Sequence, residues 1–165
     1  MVARAEGASG VVACDLAAAR REQAQRLGAD AALDPGEAGL PARARELAPE
    51  GFDVVIEAAG APASLRLAFA LVRSGGTIVQ VGTLGTADVP LPANELMNRE
   101  LRLVGSFRYG DVFDDAIALA ARGAVRLDAL VSDVFPLAEA ARALERAGDA
   151  GAVIKVQLAA GPSRP

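Results

Sequence analysis

Short apolar, β-branched runs alternate with helix-forming runs along this chain, and that alternation constrains the fold more than any other feature. VVAC (11–14), AAL (31–33), DVVIEAAG (53–60), TIVQVG (77–82), LRLVGSF (101–107), LVSDVF (130–135) and AVIKVQL (152–158) read as strands. Between them LAAARREQAQRL (16–27), PARARELA (41–48), PASLRLAFALVR (62–73), ANELMNRE (93–100), DVFDDAIALAARG (111–123) and LAEAARALERAG (137–148) read as helices. Gly28 and Gly123 stop two of the helices. Pro62 opens another, where its missing N–H does no harm. Gly75 and Gly76 read as a turn, and Pro136 closes LVSDVF, which is expected at an edge. Repeated strand–helix–strand units with near-continuous apolar strands specify an α/β fold with a doubly wound parallel sheet, covered on both faces. Ligands of such sheets bind at the carboxyl ends of the strands. Gly60, Gly82, Gly85 and Gly105 gather at those ends.

GVVACD (10–15) ends a strand in an acid, and a helix follows at once. Asp15 at that position suits two roles. Its carboxylate can accept hydrogen bonds from both hydroxyls of an adenosine ribose, or it can cap the helix. A dinucleotide-binding fold carries a glycine-rich phosphate loop about 20 residues before such an acid. Only fourteen residues precede Asp15, so that loop has no room. In the helix that follows, Leu16, Ala19, Ala24 and Leu27 lie near one face and are expected to be its buried side.

The 165 residues suit one domain, and 52% hydrophobic with 23% charged residues make it globular. A net charge of −4 and the absence of any Lys/Arg block argue against nucleic acid as a partner. Sixteen of the 17 basic residues are Arg, a bias that weakens the functional reading of any single Arg. One cysteine and no histidine exclude an internal disulfide and a His/Cys zinc site. Cys14 reads as a small core residue, and Glu57, at the end of an apolar strand, as a buried structural carboxylate that needs partners. No signal peptide is evident at residues 1–10, and no apolar run approaches the roughly 18 residues of a membrane span. A soluble, cytoplasmic chain with no membrane partner is the expectation. AAGPSRP (159–165) reads as a disordered tail.

GAD at 28–30, FDVVIEAAGAP at 52–62, GGTIVQVG at 75–82 and LVGSFRYGDVFDDAIALAARG at 103–123 occur in one order. In that order they resemble the zinc-dependent medium-chain alcohol dehydrogenases. Within the family, SFRY and ELMNRELRLVGSFR are similar to the polyol and aldonate branch, the sorbitol and L-idonate 5-dehydrogenases. The resemblance runs from residue 2 to about 158. It implies a partial NAD-binding Rossmann domain at 1–158, without its first strand, its glycine-rich loop and the catalytic zinc domain.

The resemblance also assigns roles. Asp15 would hold the ribose and favour NAD over NADP by repelling a 2′-phosphate. Arg20 would lie beside the adenine, and Ala59 and Gly60 along the middle of the coenzyme. Gly82, Thr83 and Phe107 would hold the nicotinamide carboxamide through main-chain groups. Arg108 and Tyr109 would face the substrate, a small polyol or aldonate. Against these stand plainer readings: a solvated helix face for Arg20, turn chemistry for the glycines, a surface ion pair for Arg108. No residue of the chain is implied as catalytic or as a metal ligand. Zinc would belong to the full-length parent, which is expected to be a homo-oligomer. The isolated chain is expected to be inactive. The alternative is a degenerate, non-catalytic Rossmann module that associates through a sheet edge.

Overall fold

Every strand pair among the described residues is parallel, and each pair is joined through a helix. The computed structural model describes residues 1–85, 88–149 and 151–161. In chain order these form α1 (Val2–Ala5), β1 (Val12–Cys14), α2 (Ala18–Arg26), β2 (Ala31–Leu33), α3 (Leu40–Leu47) and β3 (Phe52–Glu57). Then follow α4 (Pro62–Leu71), β4 (Val72–Gln80), α5 (Ala93–Asn98), β5 (Arg102–Gly105), α6 (Phe113–Ala121), β6 (Val131–Pro136), α7 (Ala140–Ala147) and β7 (Lys155–Ala159). The expected alternation is thus present. The strands, however, are distributed over three sheets, β1-β2, β3-β4-β5 and β6-β7, rather than one. The chain divides into two compact units, Ala38–Gly110 and the flanking segments Met1–Glu37 with the chain from Asp111 on.

The Ala38–Gly110 unit holds the principal core. Leu65, Ala68, Phe69 and Val72 recur at three- and four-residue spacing, so α4 and its end turn one apolar face inward. That face meets Ile78 of β4 and Leu101 before β5, with Val55 and Leu103 packed alongside. Ile78 is fully buried, a burial that contributes about 2–3 kcal/mol. Arg99 finishes α4 from outside: its guanidinium donates to the carbonyls of Phe69 (2.7 Å) and Val72. Those carbonyls have no partner within the helix.

The glycine pair at 75–76 is not the turn expected from the sequence. β4 begins at Val72, immediately after α4, and pairs with Phe52 there and with Val54 at Thr77. The residues between form a bulge. Gly75 sits at φ +68°, and a Cβ on Gly76 would stand 2.6 Å from the Val72 side chain.

In the other unit β1 and β2 run in register from Val12↔Ala31 to Cys14↔Leu33. Asp30 ties their starts together, accepting from the Val11 N–H (2.7 Å) and pairing with Arg4 (2.5 Å). Of the expected apolar face of α2, Ala24 and Leu27 are half-buried, but its first turn is not. Leu16 is 73% exposed and Ala19 is exposed, whereas Arg20 and Arg21 are half-buried. Polar contacts override the pattern here, because both guanidiniums turn back to the carboxyl ends of β1 and β2. Cys14 is exposed, not a core residue. In the β6-β7 pair Pro136 is the last ladder residue, opposite Ala159, a place that a two-stranded sheet tolerates. β7 reaches Ala159, the first residue of the expected tail, and residues 162–165 lie outside the described ones.

Candidate functional site

The ends of β3 and β4 meet backbone to backbone. An ideal Cβ on Gly60 would stand 2.5 Å from the Thr83 carbonyl oxygen, and one on Gly82 would stand 2.3 Å from the Gly60 nitrogen. Gly60 also has φ +70°, a conformation that only glycine adopts without strain. The sequence thus places glycine at the two positions where the chains touch.

Glu57 organises this contact. It ends β3 with 3% of its surface exposed. Its Oε1 accepts from the Ala59 and Gly60 N–H groups (both 2.9 Å) and from the Ser64 hydroxyl (2.5 Å). Its Oε2 accepts from Gln80 Nε2 (2.5 Å), which also donates to the Gly82 carbonyl (2.6 Å). Its own carbonyl accepts from the N–H groups of Val81 (2.8 Å) and Gly82 (3.0 Å). Burial opposes ionisation, yet the donors, Ser64 first and then Gly60, Ala59 and Gln80, hold the carboxyl below the usual carboxylate range. Gln80 Oε1 is buried with no hydrogen-bond partner among the described residues.

β5 adds the third turn at the same end of the sheet, and the Ser106 N–H donates to the Gln80 carbonyl (2.9 Å). Phe107 and Tyr109 are strongly exposed there. Arg108 has φ +59°, and its guanidinium lies 5.0 Å from the Phe107 ring centroid. It makes no ion pair among the described residues, so the plain reading of a surface ion pair is not what holds it. A left-handed non-glycine residue at a strand's carboxyl end is the kind of backbone exception that concentrates at functional sites.

Asp15 and Arg20 belong to the other unit, where they are neighbours. Asp15 Oδ1 accepts from the Ala17 N–H (2.8 Å), a turn bond just ahead of α2, whose N-cap is Ala17 and carries no side-chain cap, so Asp15 is not the helix cap that the sequence also allowed. Oδ2 lies 3.8 Å from Arg20 Nη1, in a side chain that is 34% exposed. Arg20 Nε is buried and unpartnered among the described residues. Arg21, which carried no role in the sequence reading, donates to the carbonyls of Asp15 (2.7 Å) and Leu16 (2.8 Å) and pairs with Asp34 (2.9 Å). The signal for it was an acid after each of two parallel strands, Asp15 and Asp34. The structure therefore brings together Ala59, Gly60, Gly82 and Thr83, sets Phe107, Arg108 and Tyr109 after the adjoining strand, and joins Asp15 to Arg20 in a separate unit.

Zinc does not fit the residues present. The sequence has no histidine, and no group of three His, Cys, Asp or Glu side chains among the described residues could hold a metal ion. No helix among them is long and apolar enough to cross a membrane.

Parallel strands joined by helices, with glycine-bearing turns at their carboxyl ends, define an α/β chain of the Rossmann type. Residues 1–122 match the family model of the zinc-binding dehydrogenases. The chain is 36% identical to human sorbitol dehydrogenase over 168 residues, covering 99% of this chain and 46% of that protein. Among solved structures, L-idonate 5-dehydrogenase from Escherichia coli K-12 superposes with a TM-score of 0.83 at 31% identity, over 94% of this chain and 44% of that one. A zinc-binding dehydrogenase from Sinorhizobium meliloti 1021, bound to NADP, superposes at 0.84 with 33% identity, over 94% and 46%. The chain belongs to the zinc-dependent medium-chain dehydrogenase family. It spans less than half the length of these relatives.

Proposed function

We propose that the chain is the coenzyme-holding part of an NAD-dependent dehydrogenase that oxidises a secondary alcohol of a polyol, or of an aldonate such as L-idonate, to a ketone. The observation that carries this reading is the fused pair of turns at Gly60 and Gly82, which offers bare backbone at the carboxyl ends of adjoining parallel strands. Bound NAD would supply the hydride acceptor, taking the carbinol hydrogen with its electron pair while the hydroxyl proton leaves to solvent.

The chain's own residues divide the work of binding. Asp15 takes the ribose diol through Oδ2, since Oδ1 is engaged with Ala17, and its charge disfavours a 2′-phosphate. Arg20 lies on the adenine side. Ala59 and Gly60 line the middle of the coenzyme, and Gly82, Thr83 and Phe107 meet the carboxamide through the main chain. Arg108 and Tyr109 face the substrate, where a guanidinium can grip a carboxylate or hydroxyls in a planar fork. Zinc, a homo-oligomeric assembly and the substrate belong to the whole enzyme, and the 165 residues alone are inactive.

Calorimetric titration of the chain with NAD+ and NADP+ tests the reading, together with assay of a chimera. In the chimera, residues 1–158 replace the matching stretch of human sorbitol dehydrogenase. Oxidation of polyols with NAD+ preferred is expected. A correctly folded chimera that binds neither dinucleotide would overturn it.

A further inference from the structure

Glu57 is the single buried charged residue among the described residues, and the proposed chemistry gives it no task. An ionised carboxylate in that setting is retained at a cost unless its hydrogen bonds are complete. Here they are unusually complete, and their distribution is informative. Oε1 serves only the segment after β3, through Ala59, Gly60 and Ser64. Oε2 serves only β4, through Gln80, whose amide nitrogen also reaches the Gly82 carbonyl. One side chain thus bridges two turns that have no side chains of their own at the point of contact. Ser64 closes the bridge from below: its hydroxyl donates to Glu57 and its oxygen accepts from the Ala61 N–H (3.3 Å), so the start of α4 is held by the same group.

We infer that Glu57 is the positioning residue of the coenzyme cradle, its carboxylate fixing the spacing between the backbone groups at 59–60 and those at 82–83. This rests on the reading that these turns meet the coenzyme. The physical argument is preorganisation. Glycine turns lose more conformational freedom on ordering than any other backbone. A ligand that must order them itself binds more weakly than one that finds them fixed. Charge-assisted bonds are about twice as strong as neutral ones, so an amide in place of the carboxylate would loosen the tie while keeping its shape.

The experiment uses the full 165-residue chain. Residue-resolved amide hydrogen exchange and NAD+ titration are compared for wild type, Glu57→Gln, Gln80→Leu and the core variant Phe69→Leu. In Glu57→Gln, exchange at Ala59 and Gly60 rises at least about tenfold while Phe69 and Ile78 hold their protection. NAD+ affinity weakens by about tenfold as well. Phe69→Leu raises exchange across its whole unit, the pattern of a merely structural residue. If Glu57→Gln does not fold, Gln80→Leu decides instead: the Gly82 amide is expected to exchange faster, selectively. Should wild type bind no NAD+ while the turn amides respond in this way, the coenzyme reading falls and the tie between the turns stands. Exchange at Ala59 and Gly60 that is unchanged, or that rises only in step with Ile78, overturns the inference, as does undiminished NAD+ affinity in a variant whose wild-type parent binds.

Discussion

Gly82 packs against Gly60 so closely that a Cβ on Gly82 would stand 2.3 Å from the Gly60 nitrogen and 2.6 Å from Glu57 Oε2. Backbone atoms cannot yield as the tip of a flexible side chain can. Gly82→Ala is therefore expected to destabilise by more than about 1 kcal/mol, and Gly60→Ala likewise, because its φ of +70° adds strain. Gly105 meets nothing within 4 Å of a Cβ, so Gly105→Ala should stay within about 0.5 kcal/mol. Urea unfolding of the three variants checks the contrast.

Glu57 also sets an acid limit. Its carboxyl titrates below the ordinary range in the fold, so the folded state binds its proton less readily than the unfolded chain does. The stability it contributes is complete above the unfolded pKa, about 4.3. That stability fades as pH falls through the lower, folded value. Thermal unfolding of wild type and Glu57→Gln should differ most at neutral pH and converge as the pH drops below about 4. A difference that widened on acidification would contradict the arrangement.

Arg99 is expected to matter to stability although it is remote from the proposed coenzyme turns. Its guanidinium satisfies the Phe69 and Val72 carbonyls at the end of α4. Loss of such charged hydrogen bonds in Arg99→Ala should cost about 1.5–3 kcal/mol. NAD+ affinity at a temperature where the variant is folded should be unchanged, and calorimetry measures both quantities.

Asp15 is expected to choose the coenzyme. Ser at this position keeps an acceptor for the Ala17 N–H, which Asp15 Oδ1 now holds, and removes the charge. In the chimera with human sorbitol dehydrogenase, Asp15→Ser should weaken NAD+ about tenfold and improve NADP+ relative to it. Equal use of both coenzymes before and after substitution would remove Asp15 from the ribose site.

Arg108 is expected to act on substrate and not on coenzyme. In the same chimera Arg108→Ala should raise KM for a polyol or aldonate about tenfold and leave KM for NAD+ unchanged. Ala adopts φ +59° no more easily than Arg, so the comparison is not confounded by relief of strain. Equal effects on both constants would point to a distorted turn.

Strand order and helix order were legible because apolar runs and Gly/Pro punctuation are local signals. The bulge at Gly75–Gly76 was not, since the sequence cannot tell a turn before a strand from extra residues inside one. The exposure of Leu16 and Ala19 at the start of α2 was not legible for a different reason. Arg20 and Arg21 are drawn inward by Asp15 and Asp34, and periodicity weighs only hydrophobicity. At the candidate site the glycines and Asp15 stood out by residue type. What Glu57 does depends on donors three, seven and 23 residues away, at Gly60, Ser64 and Gln80, and only the folded chain assembles them.

β3 lies at the margin of its sheet, with Val54 at 53% and Ile56 at 59% exposure on alternate positions. The consequence is colloidal. A strand with one free ladder of N–H and C=O groups and an apolar stripe is a template for its own kind. A net charge of only −4 gives modest repulsion against it. Dispersion of the chain in solution is then governed by concentration and ionic strength: dilution and low salt keep molecules apart, whereas crowding and screening let the margin of one sheet become the neighbour of another.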